Sequence, residues 1–366
     1  MKRNRSFIAL LTILALLLSC CLAGCGNEKP SETTASKESG IRTVVDMAGR
    51  EVEIPAKIEK AFPTSPVGVV FIYTLEPELL IGWNNELRQG ESKYLPLKYQ
   101  NLPHLGGWYA KTTCNTEELL KIHPDIILAV GNTDQMAISQ ADSIQQQLDI
   151  PVVILSSDLN KLDKSYELAG DILNLKEQAN KLGAYCCESV KDVQSKAQSI
   201  TEEQRLKVYY AEGPAGLQTE PKGSAHTRVL DMVGGVNVAD VAMKGGKGLT
   251  PVSLEQLLSW NPDVILSWNM GQGGYYEKML SDSKWESISA VKNGKVYAVP
   301  SGPFNWFERP PSVNQVLGLK WLGNLLYPDV YKYDMAEETR EFYKTFYHYN
   351  LTDEDLTSLL KDSGGK

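Results

Sequence analysis

The chain has 366 residues, a formal net charge of -8 and 22% charged residues, enough length for two lobes with separate cores. An acidic balance with no basic block excludes a general nucleic-acid binder. After residue 40 no run approaches 18 apolar residues, so no later segment is expected to span a membrane.

At the start, Lys2, Arg3 and Arg5 precede an uncharged run from Phe7 to Leu18. That run is too short to cross the ~30 Å of bilayer hydrocarbon as a helix, and the pattern is that of an export signal over residues 1–24. Leu22-Ala23-Gly24-Cys25 closely resembles the bacterial lipobox, in which cleavage leaves an acylated cysteine at the new N-terminus. Cys25 is therefore expected to anchor the chain to a membrane from the extracytoplasmic side; an ordinary secretory signal with an incidental Cys25 is the alternative. Residues 26–40 are Ser, Thr, Glu, Lys and Pro with little apolar surface, so 25–40 reads as the lipidated cysteine and a flexible tether. Cys114, Cys186 and Cys187 are the thiols beyond Cys25. Three do not make a disulfide scaffold, and they read as small buried residues.

The most informative feature beyond the tether is a repeat. Residues 115–132 read NTEELLKIHPDIILAVGN and residues 253–270 read SLEQLLSWNPDVILSWNM. Each copy opens with a residue able to cap a helix, runs through an amphipathic turn or two, and stops at Pro-Asp. Each then enters a strand that is apolar on successive residues, the pattern of a parallel sheet covered on both faces. Ahead of each copy lies a strand, a loop and a helix, near 61–80 and 208–233; after each comes a helix and another buried strand, at 150–155 and 296–299. A 138-residue offset means two similar lobes rather than a solenoid. Between them, apolar residues at three- and four-residue spacing from Leu168 to Ile200 predict one helix ending near Leu173 and a second over about 176–200, with Asn174 as a left-handed cap between. The fold class is thus α/β: two similar lobes with parallel-type sheets, 41–173 and 204–333, joined by one long rigid helix within 174–203, with a ligand cleft between them. Residues 334–366 read as a C-terminal helix and polar tail packing on a lobe.

On these residues the chain resembles the ABC-transporter substrate-binding proteins for iron-siderophores, haem and vitamin B12. Carrying the resemblance are Thr43 to Arg50 followed by Val52 and Ile54-Pro55, the repeat, the intervening helix, Gly294-Lys295-Val296-Tyr297, and Asn305-Trp306-Phe307-Glu308-Arg309. The last resembles a stretch in the ligand cleft of the vitamin B12-binding members. The resemblance implies a binding protein, not an enzyme, that hinges little and delivers its cargo to a permease and ATPase complex. It also implies that a glutamate on each lobe, seven residues before the Pro of each repeat copy, docks onto the permease; these are Glu117 and Glu255. A first-turn glutamate favoured by the helix dipole is the plainer reading of each.

Ligands of open α/β sheets meet the loops at the carboxyl ends of strands. Those loops offer Thr64, Ser65, Trp108, Tyr109 and Asn132 in the first lobe, and Lys222, Ser224, His226, Trp268, Asn269, Trp306 and Arg309 in the second. A tryptophan gives a flat apolar face with an N–H handle, although many tryptophans are core. Lys222 to Arg228 offers donors for an anion, or else a helix cap with surface charge, and Arg309 adds a guanidinium suited to a carboxylate, catecholate or oxyanion. The expected site is locally cationic. This loop also looks like that of the molybdate- and tungstate-binding branch. Cargo is thus expected to be a metal chelate, first an iron-siderophore, with haem, a corrinoid or an oxyanion as alternatives, and no resident cofactor. A bare metal ion is disfavoured, because His104 and His226 are too few for a three-histidine cage. No Gly-x-Ser-x-Gly, phosphate-loop or His-Glu-x-x-His motif points to catalysis. A non-transport surface or sensor protein on the same scaffold would share everything except permease docking.

Overall fold

A computed structural model describes residues 40–364 apart from Gln89 and residues 243–247. The expected signal segment, Cys25 and the tether up to residue 39 lie outside the described residues. No described helix is long and apolar enough to cross a membrane.

The chain opens with an antiparallel hairpin, β1 (Ile41–Val45) and β2 (Glu51–Pro55). Its turn shows what the Asp46-to-Arg50 motif does. The buried Asp46 carboxylate accepts hydrogen bonds from the Ala48 and Arg50 amides and, at 3.2 Å, from the amide of Ile154. Arg50 pairs with Asp46 at 3.0 Å and donates to the Val152 carbonyl. Gly49, at φ +84°, supplies the left-handed residue that closes the turn. A charged turn thereby ties the hairpin to the first sheet.

That sheet is parallel, in the order β3 (Ala61–Pro63), β4 (Ile126–Gly131), β5 (Val152–Ser156). In the second half come β6 (Lys207–Ala211), β7 (Gln218–Thr219), β8 (Val236–Asn237), β9 (Thr250–Pro251), β10 (Val264–Ser267) and β11 (Val296–Ala298). Four of them form a parallel sheet in the order β11-β10-β6-β8, while β7 and β9 make a small antiparallel pair. The two repeat copies occupy equivalent places. Asn115 and Ser253 cap helices Thr116–Ile122 and Leu254–Trp260, His123 and Asn261 end them in the left-handed conformation, and β4 and β10 follow. Both strands sit mid-sheet with helices over both faces, which is why they are apolar on successive residues.

Helices Leu162–Leu173 and Lys176–Ala197 flank Asn174, which takes φ +59°. The second helix, 22 residues and ~33 Å long, buries Ala179, Leu182, Cys186, Val190 and Val193 along one stripe. A Cβ on Gly170 would stand 2.5 Å from that of Ala179, so the two helices cross at close range. The helix ends short of Ile200, which the apolar pattern had included. Cys114, Cys186 and Cys187 are free thiols, Cys186 fully buried on the helix stripe.

The C-terminal segment does more than pack on one lobe. Helix Met335–Phe346 brings Phe342, Tyr343, Phe346 and Tyr347 into full burial. Tyr73, on the first-lobe helix Pro66–Leu75, donates to the Tyr347 carbonyl at 3.0 Å, and His348 meets the Tyr73 carbonyl at 3.1 Å. Lys93 and Asp355 pair at 2.9 Å. On its other side Tyr343 accepts a hydrogen bond from Trp306 of the second lobe at 3.4 Å. The chain therefore returns to the first lobe after completing the second, and the lobes are linked twice.

Candidate ligand-binding cleft

The carboxyl ends of both sheets open onto one cleft of about 1030 Å³. From the first lobe come Thr64 and Ser65, which directly follow β3, Trp108 and Tyr109 from the loop hydrogen-bonded to it, and Asn132 after β4. Trp108 is held at both ends of its peptide: its N–H donates to the Thr64 carbonyl at 2.9 Å, and its carbonyl accepts from Gln140. The ring is half-buried, edge-on to Phe62 at 6.3 Å, leaving the remainder of its surface to the cleft. From the second lobe come His226, Arg228, Phe304, Glu308 and Arg309.

Five expected residues lie elsewhere. Trp306 is fully buried and packs toward Tyr343. The loop folds back on itself, with the Trp306 amide on the Pro300 carbonyl at 3.0 Å and Asn305 Oδ1 accepting from the amides of Phe307 and Glu308. That local turn sends Trp306 and Phe307 into the core and leaves Glu308 and Arg309 on the wall. Trp268 is buried beneath Arg309, whose guanidinium carbon stands 4.9 Å above the ring; it supports the wall rather than lining it. Asn269 caps the short turn Met270–Gln272. Lys222 is exposed outside the lining, and Ser224 is buried, its hydroxyl donating to Glu220 at 3.0 Å.

The expected cationic character of the second-lobe wall is corrected by the structure. Arg309 is not free to grip an anion by itself: it meets Glu212 at 2.9 Å, Glu220 at 3.2 Å and Glu308 at 2.9 Å. All three carboxylates are essentially inaccessible, and His226 Nδ1 stands 2.7 Å from Glu308 Oε2. Burial, then the Glu308 charge, pushes the Glu212 carboxyl well above the usual range, and burial likewise raises Glu220. For His226 burial alone would lower the pKa; the hydrogen bond and charge of Glu308, with Glu220 behind, more than offset it and raise it. Further guanidinium on the cleft comes from Arg88 and from Arg228, which reaches the Ser157 carbonyl across the cleft at 3.3 Å and pairs loosely with Asp158 at 3.8 Å. Sequence reasoning placed Arg228 at the end of a donor loop but did not single out Glu212, Glu220 or Arg88 as site residues. The available signal was position: Glu212 directly follows β6, where a buried acid next to a strand end needs a cationic partner.

His104 binds the Asn84 carbonyl at 2.8 Å, away from the lining. Glu117 and Glu255 are both exposed in the first turns of the two repeat helices, Glu117 beside Lys121 at 3.2 Å.

The family model described as periplasmic binding protein matches residues 78–303. The chain belongs to that family. An ABC transporter solute binding protein from Sulfurospirillum deleyianum is similar in structure, with a TM-score of 0.81, 31% identity, and coverage of 87% of this chain and 99% of that one. The molybdate-binding protein of Haemophilus influenzae is 26% identical over 84% of this chain and 91% of its own length. The iron(3+)-hydroxamate-binding protein of Bacillus subtilis is 24% identical over 82% and 92%. The resemblance to the iron, haem and vitamin B12 type drawn from sequence is thus borne out, and the protein is a substrate-binding component of an ABC transporter, an extracytoplasmic class whose members bind solutes.

Proposed function

We propose that this binding protein captures a metal chelate, an iron-siderophore or similar complex, in the cleft between its lobes and delivers it to an ABC permease driven by its ATPase. The observation that carries the reading is the cleft itself: about 1030 Å³, with Trp108 and Tyr109 on one wall and Arg88, Arg228 and Arg309 around it. Sites for ligands of several hundred daltons run to about 300–1,000 Å³ and combine apolar or aromatic walls with a few placed polar groups. Acylated Cys25 would hold the protein at the membrane, and Glu117 and Glu255, exposed at equivalent points of two similar lobes, would orient it on the permease. A second reading, a molybdate or tungstate oxyanion, is favoured by the similarity to the Haemophilus influenzae molybdate-binding protein.

The test is a thermal-shift panel of ferric siderophores, haemin, cobalamin, molybdate and tungstate on the full chain. Cargo at 100 times its dissociation constant adds about 2.7 kcal/mol. A rise with ferric siderophores alone supports the first reading, and one with the oxyanions alone replaces it with the second. A rise with haemin or cobalamin alone keeps the metal-chelate class but replaces the siderophore with that macrocycle, and a rise with none of the panel overturns both.

A further inference from the structure

We infer that Glu220, His226 and Glu308 form a binding site for a divalent transition-metal ion on the second-lobe wall of the cleft, a site separate from the question of which organic or oxyanionic cargo the cleft takes.

One ligand atom from each of the three residues lies within 4.8 Å of the others. Donors on a single ion at about 2.1 Å can stand no more than ~4.2 Å apart, so side-chain shifts of a few tenths of an ångström at each residue close the set. The pair His226 Nδ1 and Glu308 Oε2, 2.7 Å apart, already has nearly the ~3 Å spacing of neighbouring donors on one ion. One imidazole with two carboxylates is a mixed nitrogen and oxygen set, which suits Zn²⁺, Co²⁺ or Ni²⁺ better than Mg²⁺ or Ca²⁺.

Two features beyond the triad point the same way. The first is charge. Among the described residues, Glu212, Glu220 and Glu308 are buried around the single guanidinium of Arg309, so carboxyl groups outnumber that cation even with Glu212 neutral. Buried negative charge in excess is costly without a counter-ion, and a bound cation would supply one. The second is an orphan: among the described residues Glu212 Oε2 is fully buried with no hydrogen-bond partner, although its other oxygen is held by the guanidinium that also meets Glu220 and Glu308. The triad carboxylates are also oriented from behind, as metal ligands need to be. Ser224 donates to Glu220 at 3.0 Å and Tyr210 to Glu308 at 2.8 Å.

Glu220 lies behind the wall while His226 and Glu308 line the cleft, so an ion held by the three keeps its open coordination positions on the cleft side. Bound there, it would turn an acidic wall into an acceptor for an anionic group.

The experiment uses the full chain, untagged, stripped with a chelator and titrated calorimetrically with Ni²⁺, Co²⁺ and Zn²⁺ salts in the absence of any siderophore, haem or oxyanion. The expected result is one ion per chain, a visible d–d band from bound Co²⁺, and at least tenfold weaker binding in Glu308→Gln and in His226→Gln, with His104→Gln unchanged. His226 is part-exposed, so its variant stays informative even where the buried Glu308→Gln fails to fold. No binding, or binding that His226→Gln leaves intact, overturns the site. Because no cargo is present, neither result depends on the cargo reading above.

Discussion

Replacing Arg309 by Met removes the one guanidinium among three buried carboxylates while keeping most of the stem that lies over Trp268. Breaking a buried ion pair from one side costs about 3–5 kcal/mol, because the partner charge stays buried and unpaired. Here three partners are stranded, but the Arg309 side chain is 26% exposed and Glu212 already favours its neutral form, so the lower half of that range, roughly 3–4 kcal/mol, is expected. At ~2 °C per kcal/mol, appropriate to a chain of this size, the melting temperature should fall by roughly 6–8 °C. The assay is thermal unfolding of wild type and Arg309→Met in chelator at pH 8 and pH 5. The loss should be larger at pH 8, because at pH 5 the stranded carboxylates take up protons. A double-mutant cycle with Glu212→Gln should recover at least ~1 kcal/mol, as expected of contacting residues. A loss below ~1 kcal/mol, or an equal loss at both pH values, would refute the description of Arg309 as the counter-charge of this cluster.

Two tryptophans separate core from cleft. Trp306→Ala should cost about 3–5 kcal/mol in urea unfolding without a specific effect on cargo, whereas Trp108→Ala should weaken cargo binding severalfold at little cost in stability; the reverse pattern would contradict their placement. In metal-free protein, stability should fall as pH rises from about 5 to 8. Glu212 and Glu220 are raised above their unfolded values, so the unfolded chain releases those protons first; the stabilisation from raised His226 is complete below about 6.5 and is lost as pH passes its folded value. Stability that rises over this window would contradict that sign, and Glu212→Gln should flatten the trend. Reversing both Glu117 and Glu255 to Lys should abolish uptake in cells while leaving cargo affinity and melting temperature unchanged; retained uptake would remove them as permease contacts.

Local pattern was enough for the lobes and the long helix. The repeat at 115–132 and 253–270 carries its own caps, left-handed ends and twice-buried strands, and the stripe from Ala179 to Val193 carries its own period. These features rest on interactions between near neighbours in sequence and on burial, both of which leave a mark on residue order. Position at the end of a strand follows from the same logic, and Thr64, Ser65, Trp108, Tyr109, Asn132, His226 and Arg309 line the cleft. Direction within a loop left no such mark. Trp306 and Arg309 are three residues apart, yet the turn built on Asn305 sends one into the core and the other to the wall. Charge was equally invisible: Arg309 reads as a cation in sequence, and only folding brings Glu212 and Glu220, some ninety residues away, against it. The return of the C-terminal segment to Tyr73 is likewise a contact across more than 270 residues, which no periodicity records. Sequence determined the elements because their forces are local; tertiary structure decided the wall's charge, because electrostatics sums over whatever the fold brings within a few ångströms.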